Sequence, residues 1–283
     1  MTRASMNGRI GGFTTDPSHV GPIVRARRVW DYRRILWVLV KGDLKVRYSD
    51  SVLGYLWTVL EPLLMSLVFW FIFTKLFIRG DPRFTDPYIV FLLSGQLPWY
   101  WFNAAVSGTT KSLLGEAQMV RSTNVPRELW VLRTILAKGA EFIFSLPVLI
   151  AFILFYRPHI NIEILYWPVA FLLEWLLLVG LGLMLASVTV LVRDVDRIVR
   201  IILRVLFYGS PVLYSINQGR IEKVAWLYTV NPIAGILDLF RVGIFPLEMD
   251  RNRVIVASIE TVVIFVLGIF VFARLERQIL KEI

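Results

Sequence analysis

Apolar runs of membrane-spanning length recur along this chain, and they constrain its fold more than any other feature. A helix crosses the hydrocarbon core with about 20 mostly apolar residues. Runs of that order lie at residues 52–77, 87–114, 130–156, 164–192, 193–214 and 254–272. In lipid every backbone polar group needs an internal partner, which a helix supplies within one segment. The expectation is an all-α polytopic membrane protein with six transmembrane helices. Only 18% of the 283 residues are charged, against about a quarter in soluble domains. Little length remains for a soluble module.

Charge then sets orientation. The net charge is +10, which in a soluble protein would suggest nucleic acid. Here the basic residues gather in the N-terminal region, around Arg121 to Lys138, along Arg193 to Arg204 and at the C-terminus. Placing those segments inside gives an asymmetry of more than two to one, the positive-inside pattern. Both termini are therefore expected in the cytoplasm, with no nucleic-acid partner. There are no cysteines, so disulfide and thiolate chemistry are excluded. The two histidines, His19 and His159, build no metal site on a helix. The first twenty residues lack the apolar core of a secretory signal.

Residues 1–28 are expected as a disordered cytoplasmic tail, rich in Gly, Thr and Ser. Residues 29–48 mix Trp30, Leu36, Trp37 and Val40 with Arg33, Arg34, Lys41, Lys45 and Arg47. That mixture reads as an amphipathic helix in the membrane interface, or as an ordinary juxtamembrane linker helix. The first span carries Glu61-Pro62, about 14 Å of helix rise inside it. A carboxylate at that depth faces protein or water, and Pro62 is expected to kink the helix. The second span contains Gly95-Gln96-Leu97-Pro98, which points to a discontinuous helix. Trp99, Tyr100, Trp101 and Phe102 follow. They read as an interfacial belt or packing, or as flat rings along a path for sugars. The charged segment 116–129 is long enough to dock a partner, and Pro126 opens a short helix there. Lys138 and Glu141 are spaced to pair. Glu174 lies mid-span, either as a satisfied structural carboxylate or as part of a path.

The stretch 193–232 has the most unusual pattern. Asp194 and Asp196 begin a helix where its dipole favours negative charge. Arg193, Arg197, Arg200 and Arg204 follow at spacings of 4, 3 and 4. Anchoring explains most of this stripe, but Arg204 sits deeper; it snorkels, meets an intramembrane carboxylate, or meets an anionic headgroup. Ser210-Pro211 ends the span. Residues 225–245 are apolar but broken at Asn231-Pro232 and Gly235, so neither half spans. An outer re-entrant helical hairpin before the last span satisfies that pattern.

Taken together, these pieces resemble a family. Leu53-Gly54-Tyr55-Leu56-Trp57 with Leu60-Glu61-Pro62-Leu63 looks like the first-span signature of ABC-2 type permeases that export polysaccharide. Pro126-Arg127-Glu128-Leu129, the run Arg193-Asp194 to Ser210-Pro211-Val212-Leu213-Tyr214, Asn231-Pro232-Ile233 and Phe240-Arg241 match later pieces in order. The likeness covers residues 29–283, read as one ABC-2 type transmembrane domain. It is closest to Wzm-like permeases of O-antigen export and their teichoic-acid relatives. The Arg-rich tail looks like actinobacterial members that export lipid-linked galactan. The resemblance implies a homodimer in the bacterial inner membrane, with two copies of a cytoplasmic Wzt-like ATPase that binds ATP and Mg. Its cargo would be a polysaccharide on a polyprenyl diphosphate. It implies no cofactor in this chain, which has no GxxxxGK[ST] phosphate loop. Carried over, ATPase coupling falls on Arg121, Asn124, Pro126, Arg127 and Glu128, and the outer gate on Asn231 and Pro232. The proposed path takes Trp57, Glu61, Trp99, Tyr100, Trp101, Arg204, Tyr208 and Tyr214, with Arg47 or Arg204 holding the diphosphate.

Two other classes compete. An ion-coupled secondary transporter would use Glu61, Glu174 and Glu260 as a relay, but the chain has no evident repeat of two halves. A membrane enzyme needs a reactive constellation. The sequence has no HExxH or GxSxG motif, and Asp194-Val195-Asp196 is better explained by the helix start.

Overall fold

Helices are the only regular elements among the described residues of this computed structural model, which are 22–49, 53–76, 87–216, 225–245 and 249–282. In chain order they are α1 (Pro22–Asp31), α2 (Arg33–Ser49), α3 (Trp57–Phe71), α4 (Tyr88–Thr109), α5 (Ala117–Ser122), α6 (Glu128–Tyr156), α7 (Trp167–Leu191), α8 (Val195–Gly209), α9 (Ala225–Thr229), α10 (Pro232–Arg241) and α11 (Arg251–Glu282). Within the expected tail residues 22–28 are helical; residues 1–21 lie outside the described residues. So do the polar loop at 77–86 and the patch at 217–224.

Among the described residues four helical stretches are long and apolar enough to cross a membrane: Trp57–Thr74, Glu128–Tyr156, Ile162–Leu191 and Arg251–Glu282. They match the first, third, fourth and sixth expected spans. The second and fifth differ for separate reasons. α4 has 22 residues but carries Gln96, Pro98 and Asn103, and it is buried without interruption from Tyr88 to Trp99. Its environment is protein, so its sequence need not be as apolar as one facing lipid. α8 has 15 residues, short of the usual span, and carries Arg197, Arg200 and Arg204.

The expected break in the second span is absent. α4 runs as one helix through Gly95 and Pro98. Gly95 is there for space: a Cβ at that position would collide with the guanidinium of Arg241. What reads as a helix breaker in sequence is the notch that admits an arginine from α10.

α4 packs antiparallel to α6. Trp101 stacks between Phe142 and Phe171, with ring centroids 5.3 and 4.7 Å away, and its indole donates to the Ile135 carbonyl at 3.4 Å. Trp99 packs on Phe102 and Phe207 at 5.5 and 5.6 Å. Trp99, Trp101 and Phe102 are thus core residues, and Tyr100 alone of the four is only partly buried. α7 and α11 run parallel and touch backbone to backbone. A Cβ on Gly180 would lie 2.6 Å from the Phe265 Cα, and one on Gly268 would collide with the Gly180 carbonyl. Small residues permit this close crossing. α3 buries only Pro62 and Ser66, and Ser66 donates a buried hydrogen bond to Gln96 of α4.

Candidate functional site

Three constructions bring the informative residues together. The first is a cavity of about 460 Å³ between α3, α4 and α6. Its walls include Trp57, Glu61, Tyr100, Trp101, Asn103 and Ser145, with Arg47, Lys138 and Glu141. Lys138 approaches Glu141 at 3.0 Å, as their spacing predicts, and Arg47 reaches the same carboxylate at 2.5 Å. The two cations therefore converge on one anion, while Glu61 lines the cavity from α3. Two carboxylates, an amide, a serine and several aromatic rings suit a neutral, hydroxyl-rich ligand. Carboxylates accept hydroxyl hydrogen bonds, and aromatic bodies offer large apolar faces.

The second construction is a laced face at the basic end. Leu36 and Val40 of α2 are buried against Leu129 and Ala137 of α6. Ion pairs flank this seam for about 20 Å of α6. Arg25 reaches Glu128 at 2.8 Å and Glu276 at 2.6 Å. Arg133 pairs with Asp43, and with Glu116 at 3.1 Å. Burial opposes the Arg25 charge, but Glu276 and Glu128 outweigh it and the pKa is raised. One arginine thus ties α1 to the start of α6 and the end of α11.

The third construction closes the Ser-Pro break after α8. Buried Arg241 donates to the carbonyls of Pro211 and Val212, the latter at 2.7 Å. Its guanidinium lies 3.8 Å from the centre of the Phe91 ring. Tyr88 donates to the Leu213 carbonyl at 2.8 Å. Asn231 caps α10 by accepting from the Ile233 amide at 3.3 Å, and its Nδ2 donates to Ser210 at 2.8 Å. Beside it the buried pair Asp238–Arg253 meets at 2.7 Å. Irregular backbone buried in protein is tolerated at membrane depth when it is satisfied this way.

Residues 34–245 match the model of the ABC-2 type transporter family. The chain belongs to this ABC-2 family. An O-antigen export system permease protein, RfbA of Klebsiella pneumoniae, is 31% identical over 248 residues, covering 86% of this chain and 92% of that protein. The Myxococcus xanthus protein of the same name is 28% identical over 216 residues, 76% and 82% of the two chains. The polysialic acid transport protein KpsM of Escherichia coli is 24% identical over 219 residues, 72% and 78%.

Within this ABC-2 transporter the sequence-derived candidates separate. Trp57, Glu61, Tyr100 and Trp101 share the cavity. Trp99 is held in the core. Arg204 and Tyr208 lie on the exposed side of α8, and Tyr214 contacts the Tyr228 hydroxyl at 3.1 Å. Arg121 and Asn124 are exposed in the α5–α6 segment, whereas Pro126 is buried and Glu128 is tied to Arg25. The segment opened by Pro126 is the start of α6 itself, not a separate short helix. Glu174 is fully buried, with neither oxygen hydrogen-bonded. Among the described residues no group of His, Cys, Asp or Glu is arranged to hold a metal.

Sequence reasoning missed Arg25, Asp43 and Glu276, because Arg25 counted only toward topology and the two carboxylates lie far along the chain from their partners. It also gave no structural role to Arg241 and Arg253, although both are buried. The available signal was an ionisable pair, Asp238 and Arg241, inside an apolar segment, a setting in which charges have buried partners.

Proposed function

We propose that this chain is the permease subunit of an ABC exporter that moves a lipid-linked polysaccharide outward across the bacterial inner membrane. The carrying observation is the likeness to O-antigen export permeases over 86% of the chain. The neutral, aromatic-walled cavity beside α3 supports it: Trp57 and Tyr100 offer faces to sugar rings, and Glu61 accepts from hydroxyls. Two copies assemble with two copies of a separate ATPase, which binds ATP and Mg. α3 and α8 leave most of their length unburied, which supports a second copy packing there. α4 and α8 complete six spans, both termini lie in the cytoplasm, and α9 with α10 forms an outer re-entrant hairpin around Asn231 and Pro232. The exposed Arg121 and Asn124, continuous with the laced face at Arg127 and Glu128, are the docking edge for the ATPase. ATP-driven closure there is passed through α6 to the cavity.

The test is affinity purification from native membranes, followed by export assays on the assembled complex. An equimolar partner bearing a phosphate-binding loop, lost on Arg121→Glu, supports the reading. Export that ignores ATP depletion but collapses with a protonophore overturns it and favours ion coupling through Glu61 and Glu174.

A further inference from the structure

Away from the sugar-type cavity, two adjoining cavities at the basic end differ sharply in chemistry. One is an apolar cleft of about 200 Å³ between α1, α6, α7 and α11, walled by Val29, Leu132, Val179, Leu183, Ile269 and Phe272. Trp175, Val179 and Leu183 follow one face of α7, so the cleft runs for about 12 Å along that helix. The other is a small polar notch lined by Arg25, Arg28, Asn124, Arg127, Glu128 and Glu276. Arg25 and Glu128 line both, so the two adjoin at that ion pair. The notch holds three cations against two carboxylates. An apolar slot ending in a net positive pocket, between helices at the basic end, has the polarity of an anionic lipid. Basic pockets of this kind on the cytoplasmic side of membrane helices take acidic headgroups.

We infer that this cleft holds a resident anionic phospholipid of the cytoplasmic leaflet, its acyl chain along α7 and α11 and its headgroup at Arg28 and Arg127. The headgroup charge offsets the surplus cation that the two glutamates leave. The acyl chain covers apolar surface that α1 only roofs at one end. Residues 1–21 are a poor substitute for the chain, because they are mostly polar residues and glycine. The lipid would complete the joint between α1, the start of α6 and the end of α11.

The full-length chain, purified with its ATPase in mild detergent, is assayed by mass spectrometry for bound phospholipid. It is then reconstituted in phosphatidylcholine vesicles with or without phosphatidylglycerol. The expected result is equimolar retained phosphatidylglycerol and a higher thermal midpoint when that lipid is present. Arg28→Gln, at an exposed position, abolishes the preference for phosphatidylglycerol over phosphatidylcholine. Val179→Trp fills the cleft and loses bound lipid. Should that variant fail to fold, Ala26→Trp at the exposed mouth serves instead. No retained phospholipid, equal retention in the Arg28 and cleft-filling variants, or crosslinking of residues 1–21 into the cleft overturns the assignment.

Discussion

The two ends of this transporter use charge in opposite ways. At the α10 end Arg241, Arg253 and Asp238 are sealed, each no more than 2% exposed. At the basic end most paired groups stay partly open, with side-chain exposure of 11% and 13% for Arg25–Glu128 and 18% and 29% for Arg133–Asp43, although Glu276, the other partner of Arg25, is only 6% exposed. Removing one partner of a buried pair leaves an uncompensated charge and costs several kcal/mol. Pairs near water contribute little. Loss of a charge at the α10 end is therefore expected to cost more than loss of one at the basic end.

Substitutions can break that contrast in order of effect. Arg253→Met strands Asp238 in the interior and should cost about 3–5 kcal/mol, seen as loss of monodisperse protein on detergent chromatography; Arg253→Met with Asp238→Leu should recover part of it. Arg241→Met orphans the Pro211 and Val212 carbonyls, at roughly 1–3 kcal/mol for each, and should lower the thermal midpoint of the purified protein. A midpoint unchanged in either variant would erase the distinction between the two ends. Asn231→Ala removes the α10 cap and should cost about 1 kcal/mol. Arg25→Gln leaves the buried Glu276 with only the 3.9 Å approach of Arg127; it should cost on the order of 1 kcal/mol yet sever export from ATP hydrolysis in the assembled complex. A variant that unfolds instead would make the basic end structural too. Arg47→Gln should be the mildest for stability, within about 0.5 kcal/mol; increased transport of charged cargo would sharpen the view that pairing with Glu141 keeps the cavity neutral.

The sequence reading recovered what periodicity and length encode. α6, α7 and α11 are long apolar helices flanked by charge; the bounds of α6 and α7 follow from that to within about three residues, whereas α11 continues as a charged helix about ten residues past the expected end at 272. The Lys138–Glu141 contact is local, so spacing predicts it. Gly95 and Pro98 misled because a glycine that opens room for a distant arginine looks the same as one that breaks a helix. Arg25 escaped for a related reason. Its partners lie more than a hundred residues away, at Glu128 and Glu276, and no local pattern joins them. The cavity was half legible: Trp57, Glu61, Tyr100 and Trp101 were singled out for a path and Arg47 for a diphosphate, while the pairing of Arg47 with Glu141 forms only through the packing of α2 on α6.

The crossing of α7 and α11 has a mechanical consequence. Where Gly180 meets Gly268 there are no side chains to interleave, so no alternative set of knobs and holes exists for the two helices to click into. Sliding one along the other would drive a neighbouring Cβ into backbone. The pair therefore behaves as a keel, fixed in one register by backbone contact rather than by a choice of side-chain packing.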